Sequence, residues 1–315
     1  MKEKKMNFVK TDLTFPSSDG KNTIHASIFA PKSGQIKGVV QLSHGMIDYV
    51  GRYEALADYL TGQGYVFAGN EHLGHGRSAA SAKDFGYFGR KFGFIAVVDD
   101  LYKMNRLLAE RYPECPIVLF GHSMGSFLAR LYAIKYTASI SALVIHGTGG
   151  KNPAAGAGLA LVKLLRVFCG ARHRSKLINA MAFGAYNSKF DKSEGHNAWL
   201  TRDIERVATR DTDPYTSYLF TLAGYSDLFT MLKQSNDKRW FKYFPKSMPT
   251  LVMSGDMDPV GGYGKGTRQV YDLLAKAGAE RLSLKLYPGA RHELFNETNR
   301  EEVFCDLAGW IDKVI

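Results

Sequence analysis

The sequence predicts an α/β fold with a mostly parallel central sheet, and three observations predict it. Short apolar runs alternate with stretches of helical periodicity through the first half of the chain. That alternation stops near residue 149 and resumes near 245. A G-x-S-x-G pentapeptide falls where one apolar run hands over to a helical stretch.

In chain order, Ile24 to Ala30 alternates and is bounded by Pro31, and Val39 to Leu42 is a short apolar run entering a glycine-containing turn. Tyr53, Leu56, Ala57 and Leu60 then recur at helical spacing, Gly62 and Gly64 end the helix, and Tyr65 to Ala68 is the next strand. Strand, helix, strand implies parallel pairing. The rhythm continues with a helix over about Phe94 to Arg111, a buried strand Ile117 to Phe120, a helix from about Met124 to Tyr136 and a strand Ala142 to Ile145. From about Gly149 to Phe244 the pattern is helical, rich in basic and aromatic residues, and broken by Gly170, Gly184, Gly195, Pro214 and Gly224. It reads as an insertion. Strand Thr250 to Ser254, helix Arg268 to Lys276, strand Leu282 to Tyr287 and a last helix follow, the last with Val303, Phe304, Leu307, Trp310, Ile311 and Val314 on one face. The expected division is a core from 1 to 148, a helical cap from 149 to 244 and the rest of the core from 245 to 315, without repeats.

A chain of 315 residues, 45% hydrophobic, is long enough to bury a large core without covalent staples. Its three cysteines, Cys115, Cys169 and Cys305, are odd in number and form no CxxC pair, which argues against a disulfide framework and a zinc site. They are expected to be reduced and mostly buried. The lysine-rich start, Met1 to Lys10, reaches no apolar segment, and no apolar run is long enough to span a bilayer, so the cytoplasm is the expected location. The net charge of +11 is scattered without a basic stripe interleaved with aromatics. This favours a solvated basic surface over a nucleic-acid partner.

The chemistry starts at Gly121-His122-Ser123-Met124-Gly125, between the strand Ile117 to Phe120 and a helix carrying Phe127, Leu128, Leu131 and Ile134. A serine at such a strand-to-helix corner projects above the strand tips, and flanking glycines avoid clashes in the sharp turn. Serine needs a base, and the base needs a third group to fix its tautomer. Of His146, His173, His196 and His292 downstream, only His292 lies just past the final strand, in Tyr287-Pro288-Gly289-Ala290-Arg291-His292-Glu293. Two acids follow the strand Thr250 to Ser254: Asp258, which directly precedes Pro259, is favoured as the orienting carboxylate, and Asp256 as a cap on a nearby amide. Oxyanion donors are expected at the N–H of Met124 and, from the loop Ser43-His44-Gly45-Met46, at the N–H of Met46. His44 is expected to brace that loop.

With these residues in hand, the chain resembles the monoacylglycerol lipase and lysophospholipase branch of the α/β hydrolases, which includes serine aminopeptidase-like sequences. The resemblance rests on His44-Gly45-Met46 followed by Gly51-Arg52-Tyr53, on Gly74-His75-Gly76-Arg77-Ser78, on Gly121 to Gly125, on Ser254-Gly255-Asp256-Met257-Asp258-Pro259 and on Tyr287 to Glu293. It implies an α/β-hydrolase fold with a helical cap, the triad Ser123, Asp258 and His292, and donors at Met46 and Met124. It also implies that His72 and His75 are scaffold, with no metal and no organic cofactor.

Family members use the cap as a lid over an acyl tunnel. Its most apolar part here is Leu159 to Cys169, interrupted by Lys163 and Arg166. A lid helix packed on the core accounts for this run better than docking on an anionic lipid surface, the second reading. A basic excess at Lys163, Arg166, Arg172, Arg174 and Lys176 suits a phosphate-bearing lipid or a headgroup.

The expected activity is hydrolysis of a carboxylic ester of a medium or long acyl chain, first of monoacylglycerols and lysophospholipids, through an acyl-serine. Two rivals remain open. One is a peptidase or amidase on the same triad, with Glu194, Asp203 and Glu205 as candidates to hold a free amino group. The other is a non-hydrolytic binding protein of the same fold.

Overall fold

Runs of β-branched and aromatic residues go extended because a sheet covered on both faces buries every side chain they carry. In the computed structural model, which describes residues 6–315, they form one eight-stranded sheet: β1 (Phe8–Pro16), β2 (Thr23–Pro31), β3 (Gly38–Ser43), β4 (Tyr65–Asn70), β5 (Ile117–His122), β6 (Ala142–His146), β7 (Thr250–Gly255) and β8 (Leu282–Tyr287). The spatial order is β1-β2-β4-β3-β5-β6-β7-β8. The β1/β2 and β2/β4 pairs are antiparallel, and every other pair is parallel.

Helices α1 (Glu54–Gly62), α2 (Gly93–Arg111) and α3 (Met124–Lys135) connect strands of the first half. Between β6 and β7 come α4 (Ala154–Cys169), α5 (Lys176–Phe183), α6 (Ile204–Thr212), α7 (Leu222–Ser235) and α8 (Lys238–Tyr243), with no strand among them. Helices α9 (Lys265–Lys276) and α10 (Arg300–Val314) complete the chain.

Strands β3 to β7 are buried along their whole length. The pleat sends alternate side chains to opposite faces, so Ile117 and Leu119 of β5 join a core with α2, α3 and the inserted helices, while Val118 and Phe120 join one with α1 and α10. The predicted strands and helices all form, with ends shifted by a few residues.

Three differences from expectation stand out. Strand β1 was not anticipated, because at the sheet edge only Phe15 of its nine residues is buried and Lys10 and Asp12 interrupt any apolar signal. Its first neighbours in the lysine-rich start, residues 1–5, lie outside the described residues. Cys169 and Cys305 are exposed and only Cys115 is partly buried, since Cys169 ends α4 on its open side and Cys305 lies on the outer face of α10. Finally, α4 buries Ala155 and Val162 and packs on α7, yet leaves Leu164, Val167 and Phe168 in solvent, the last two 78% and 79% exposed. The lid-helix expectation therefore holds for one side of α4 and fails for the other.

The first turn of α3 lies directly on the end of β3. A Cβ at Gly125 would stand 1.9 Å from the Ser43 carbonyl oxygen, a backbone atom that cannot swing aside. Gly125→Ala is expected to lower unfolding free energy by about 3 kcal/mol or to prevent folding. Urea denaturation followed by circular dichroism measures this, and a native-like midpoint would show that the turn has room to open.

Candidate active site

The corner between β5 and α3 places Ser123 at φ 53°, ψ −121°, a left-handed conformation that costs a non-glycine residue about 1–3 kcal/mol. Neighbours hold it there. Ser123 N–H donates to the His146 carbonyl (2.9 Å), and the Ser123 carbonyl accepts from Ser126 N–H (2.9 Å) and Ser126 Oγ (2.6 Å). The side chain of Ser123 is half-buried.

His292 follows β8 and is 2% exposed. Its Nδ1–H donates to Asp258 Oδ2 at 2.9 Å, which fixes the tautomer and leaves Nε2 as the basic nitrogen. Asp258 is fully buried and accepts also from Ser254 Oγ (2.9 Å) and Val260 N–H (2.8 Å). Burial opposes ionisation of this carboxyl, but His292 and these donors outweigh it and hold the group below the usual carboxylate range. Asp256 instead accepts from Gly289 N–H (2.7 Å) and ties the turn after β8, the role expected of it.

Residues 146 and 147 bring the two halves together. His146 bonds Ser123 through its carbonyl, and Gly147, at φ 58°, lets the His292 ring approach so closely that a Cβ there would lie 3.1 Å from Cε1. The loop after β3 passes over the same spot, for a Cβ on Gly45 would lie 3.4 Å from Ser123 Cβ. Met46 and Met124 thus sit in the two segments flanking Ser123. Helix α3 begins at Met124, whose N–H has no intrahelical acceptor.

A family model described as serine aminopeptidase, S33, matches residues 34–299. The chain belongs to that family of hydrolases. The monoacylglycerol lipase of Mycolicibacterium smegmatis is 30% identical over 281 residues, covering 87% of this chain and 88% of the relative. Among solved structures, a thermostable carboxyl esterase from Bacillus coagulans in complex with glycerol superposes with a TM-score of 0.90 at 28% identity, covering 97% of this chain and 99% of the other. A lipase in its open form gives 0.89 at 25% identity over 97% and 99%. The fold is that of the α/β hydrolases, and the protein is an ester hydrolase of the carboxylesterase or lipase type.

Beneath the site of this hydrolase lies a buried ionic cluster that sequence reasoning missed. Asp48 accepts from Gly45 N–H (3.1 Å), Tyr49 N–H (2.9 Å), Tyr53 Oη (2.7 Å) and Arg52 Nη1 (2.9 Å). Arg52 then grips Glu293, next to His292, through Nη1 (2.9 Å) and Nη2 (2.6 Å) in a two-pronged pair. Burial works against all three charges, but Arg52 keeps both carboxyls below their ordinary range, and they raise Arg52 well above its own. Arg52 and Glu293 stood in the motifs quoted for the family. The available signal was charge in short turns beside site residues.

The buried histidines His44, His72, His75, His122 and His146 are neutral scaffold. His44 Nδ1–H donates to Gly45 O (2.9 Å) and Nε2 accepts from His72 N–H (2.9 Å), so the ring braces its loop as expected. Burial pushes His75 down to about 3 and His72 well below its usual range. His122 and His146 share one proton between their Nδ1 atoms at 2.8 Å, and burial likewise drives His146 to about 3 and His122 well down. Two of the three acids proposed for an amino-group site are paired, Glu194 with Arg291 (2.5 Å) and Asp203 with Arg300 (3.3 Å) and the Arg206 N–H, while Glu205 is exposed on α6.

Arg52→Met leaves two buried carboxylates without their cation and is expected to lower stability by about 3–5 kcal/mol at pH 7. In the native protein these depressed carboxyls contribute stability that is complete above their unfolded values near 4 and is lost as pH falls through the folded ones. Without Arg52, burial raises them, so the variant takes up protons earlier and its deficit shrinks from pH 7 to pH 4. Urea midpoints for both proteins across that range check the sign, and a deficit independent of pH would contradict it.

Proposed function

We propose that this hydrolase cleaves carboxylic esters of medium or long acyl chains, monoacylglycerols or lysophospholipids, through an acyl-serine intermediate. The observation that carries the reading is the buried His292–Asp258 pair (2.9 Å) beside a serine held in a strained left-handed corner. Ser123 is the nucleophile, His292 the general base and then acid, and Asp258 the group that orients it. The N–H groups of Met46 and Met124 receive the oxyanion. Similarity to the M. smegmatis monoacylglycerol lipase supports the substrate class. The pairing of Glu194 and Asp203 with arginines disfavours the peptidase rival.

We also read 149–244 as a cap set between core segments 1–148 and 245–315, with a lipid-facing side. Leu164, Val167 and Phe168 of α4 and Leu177 and Met181 of α5 are exposed, with Lys163, Arg166, Arg172 and Lys176 close by in sequence. Such a surface suits transient contact with an anionic membrane. No described helix is long and apolar enough to cross one. Three free thiols fit a reducing compartment, the cytoplasm.

Steady-state hydrolysis of a chain-length series of 4-nitrophenyl esters, with monoacylglycerol, lysophosphatidylcholine and an aminoacyl anilide, tests the reaction. Turnover should rise with acyl length and fall by about ten-thousand-fold or more in Ser123→Ala. Cleavage of the anilide alone would favour the peptidase, and a fully active Ser123→Ala would exclude this mechanism.

The membrane reading has its own check. Val167→Asp with Phe168→Asp should weaken sedimentation with anionic vesicles about tenfold while leaving turnover of soluble 4-nitrophenyl butyrate unchanged. Equal vesicle binding by both proteins would refute it.

A further inference from the structure

The cap is attached to the catalytic-histidine loop along one limb. Glu293 N–H donates to Leu200 O (2.7 Å) and His292 N–H to Trp199 O (3.4 Å). Arg291 Nη1 reaches Ala198 O (2.7 Å) and Thr201 O (3.2 Å), and its guanidinium lies 4.2 Å from the Phe190 ring centroid. Thr201 Oγ1 donates to Asn296 O (2.8 Å), and Arg202 pairs with Glu297 at 2.8 Å. The segment from Ala198 to Arg202 is therefore tied to the core by backbone hydrogen bonds, side-chain hydrogen bonds and an ion pair.

This places the indole of Trp199 against His292, with ring centroids 5.1 Å apart and planes tilted by 36°. The His122 ring stands on His292 as well, at 4.7 Å. The groups around His292 thus include Asp258 at Nδ1, the neutral His122–His146 pair, Gly147 and the Trp199 indole. Among these groups Asp258 alone carries charge.

We infer that Trp199, a cap residue, is a positioning residue of the reaction: its π face stabilises the positive charge that forms on His292 in the transition state. The inference rests on the proposed triad. When Ser123 Oγ bonds to the acyl carbon, its proton passes to His292 Nε2, the carbonyl electron pair moves to oxygen and the ring becomes an imidazolium. Expulsion of the alcohol returns that proton to the leaving oxygen. In the resting enzyme the ring is neutral and gains little from the indole. In the transition state it is a cation within the roughly 6 Å over which an aromatic face attracts charge. An interaction stronger in the transition state than in the ground state appears in kcat rather than in KM. His122 serves the same end by staying uncharged, since a cation there would oppose the charge on its neighbour.

The test is site-specific replacement of Trp199 by mono-, di- and trifluorotryptophan, which preserve shape while draining negative potential from the ring face, alongside Trp199→Phe and Trp199→Leu. Hydrolysis of 4-nitrophenyl butyrate is measured for each. The expected result is a stepwise fall in kcat with each fluorine and a total loss of about 2- to 30-fold in Trp199→Leu, with KM steady and Trp199→Phe retaining most activity. If kcat is indifferent to fluorination, or if leucine serves as well as phenylalanine, Trp199 only fills space and the inference is overturned while the triad stands. If the unaltered protein is inert toward every ester, or Ser123→Ala remains active, the triad reading falls and this inference with it.

Discussion

Arg52 is the residue on which the arrangement of the site depends. Its guanidinium joins Asp48, which shapes the loop after β3, to Glu293, which follows His292 in the turn after β8. The two loops rise from strands separated by β5, β6 and β7 in the sheet, so backbone pairing alone does not set their distance. A bidentate guanidinium–carboxylate contact does, because its fork geometry tolerates little displacement. The cluster is an expensive way to gain stability, since burying three charges forfeits hydration that an apolar trio would never have lost. What it supplies is registration between loops. Ile47 at φ 52° and Ser123 at φ 53° show the same preference for placement over comfort.

Much of this was legible in the sequence, for identifiable physical reasons. The strands β3 to β7 are buried on both faces, so each reads as an unbroken apolar run, and the corner at Ser123 reads through its glycines because a Cβ at either would strike backbone. Asp258 separated from Asp256 because proline at 259 distinguishes their places in the turn, and the structure gives them different partners, His292 and Gly289. Strand β1 escaped notice because an edge strand needs polar residues as much as apolar ones. The Arg52 cluster, the His122–His146 pair and Trp199 were hidden for another reason. Each is a contact between residues far apart in sequence, and neither periodicity nor local spacing encodes which distant side chain will be met.

The inserted helices between β6 and β7 also divide into two parts of unlike character. The limb containing Trp199 is bonded to the histidine loop through backbone carbonyls and buried arginine contacts, whereas α4 and the following α5 leave five large apolar side chains in solvent. Arg130 anchors the C-terminal end of the inserted helices. Fully buried on α3 with no carboxylate beside it among the described residues, it is pushed by burial to about 9 and lies 4.5 Å from the Trp240 ring centroid, while Trp240 Nε1 donates to its carbonyl. The insertion is thus fixed at its middle and near its C-terminal end, and most of its large exposed apolar side chains lie on α4 and α5.

The order of the parts along the chain has a consequence for the protein as it is made. The corner that holds Ser123 lies in β5 and α3, the inserted helices follow, and Asp258 and His292 come only with β7 and the turn after β8. During translation Ser123 therefore exists on the growing chain before Asp258 and His292 do. On the triad proposed above, a nascent chain of this kind lacks both the base and the acid that orients it, however much of its sheet has formed. On that reading, ester hydrolysis waits until the last parallel strand has docked.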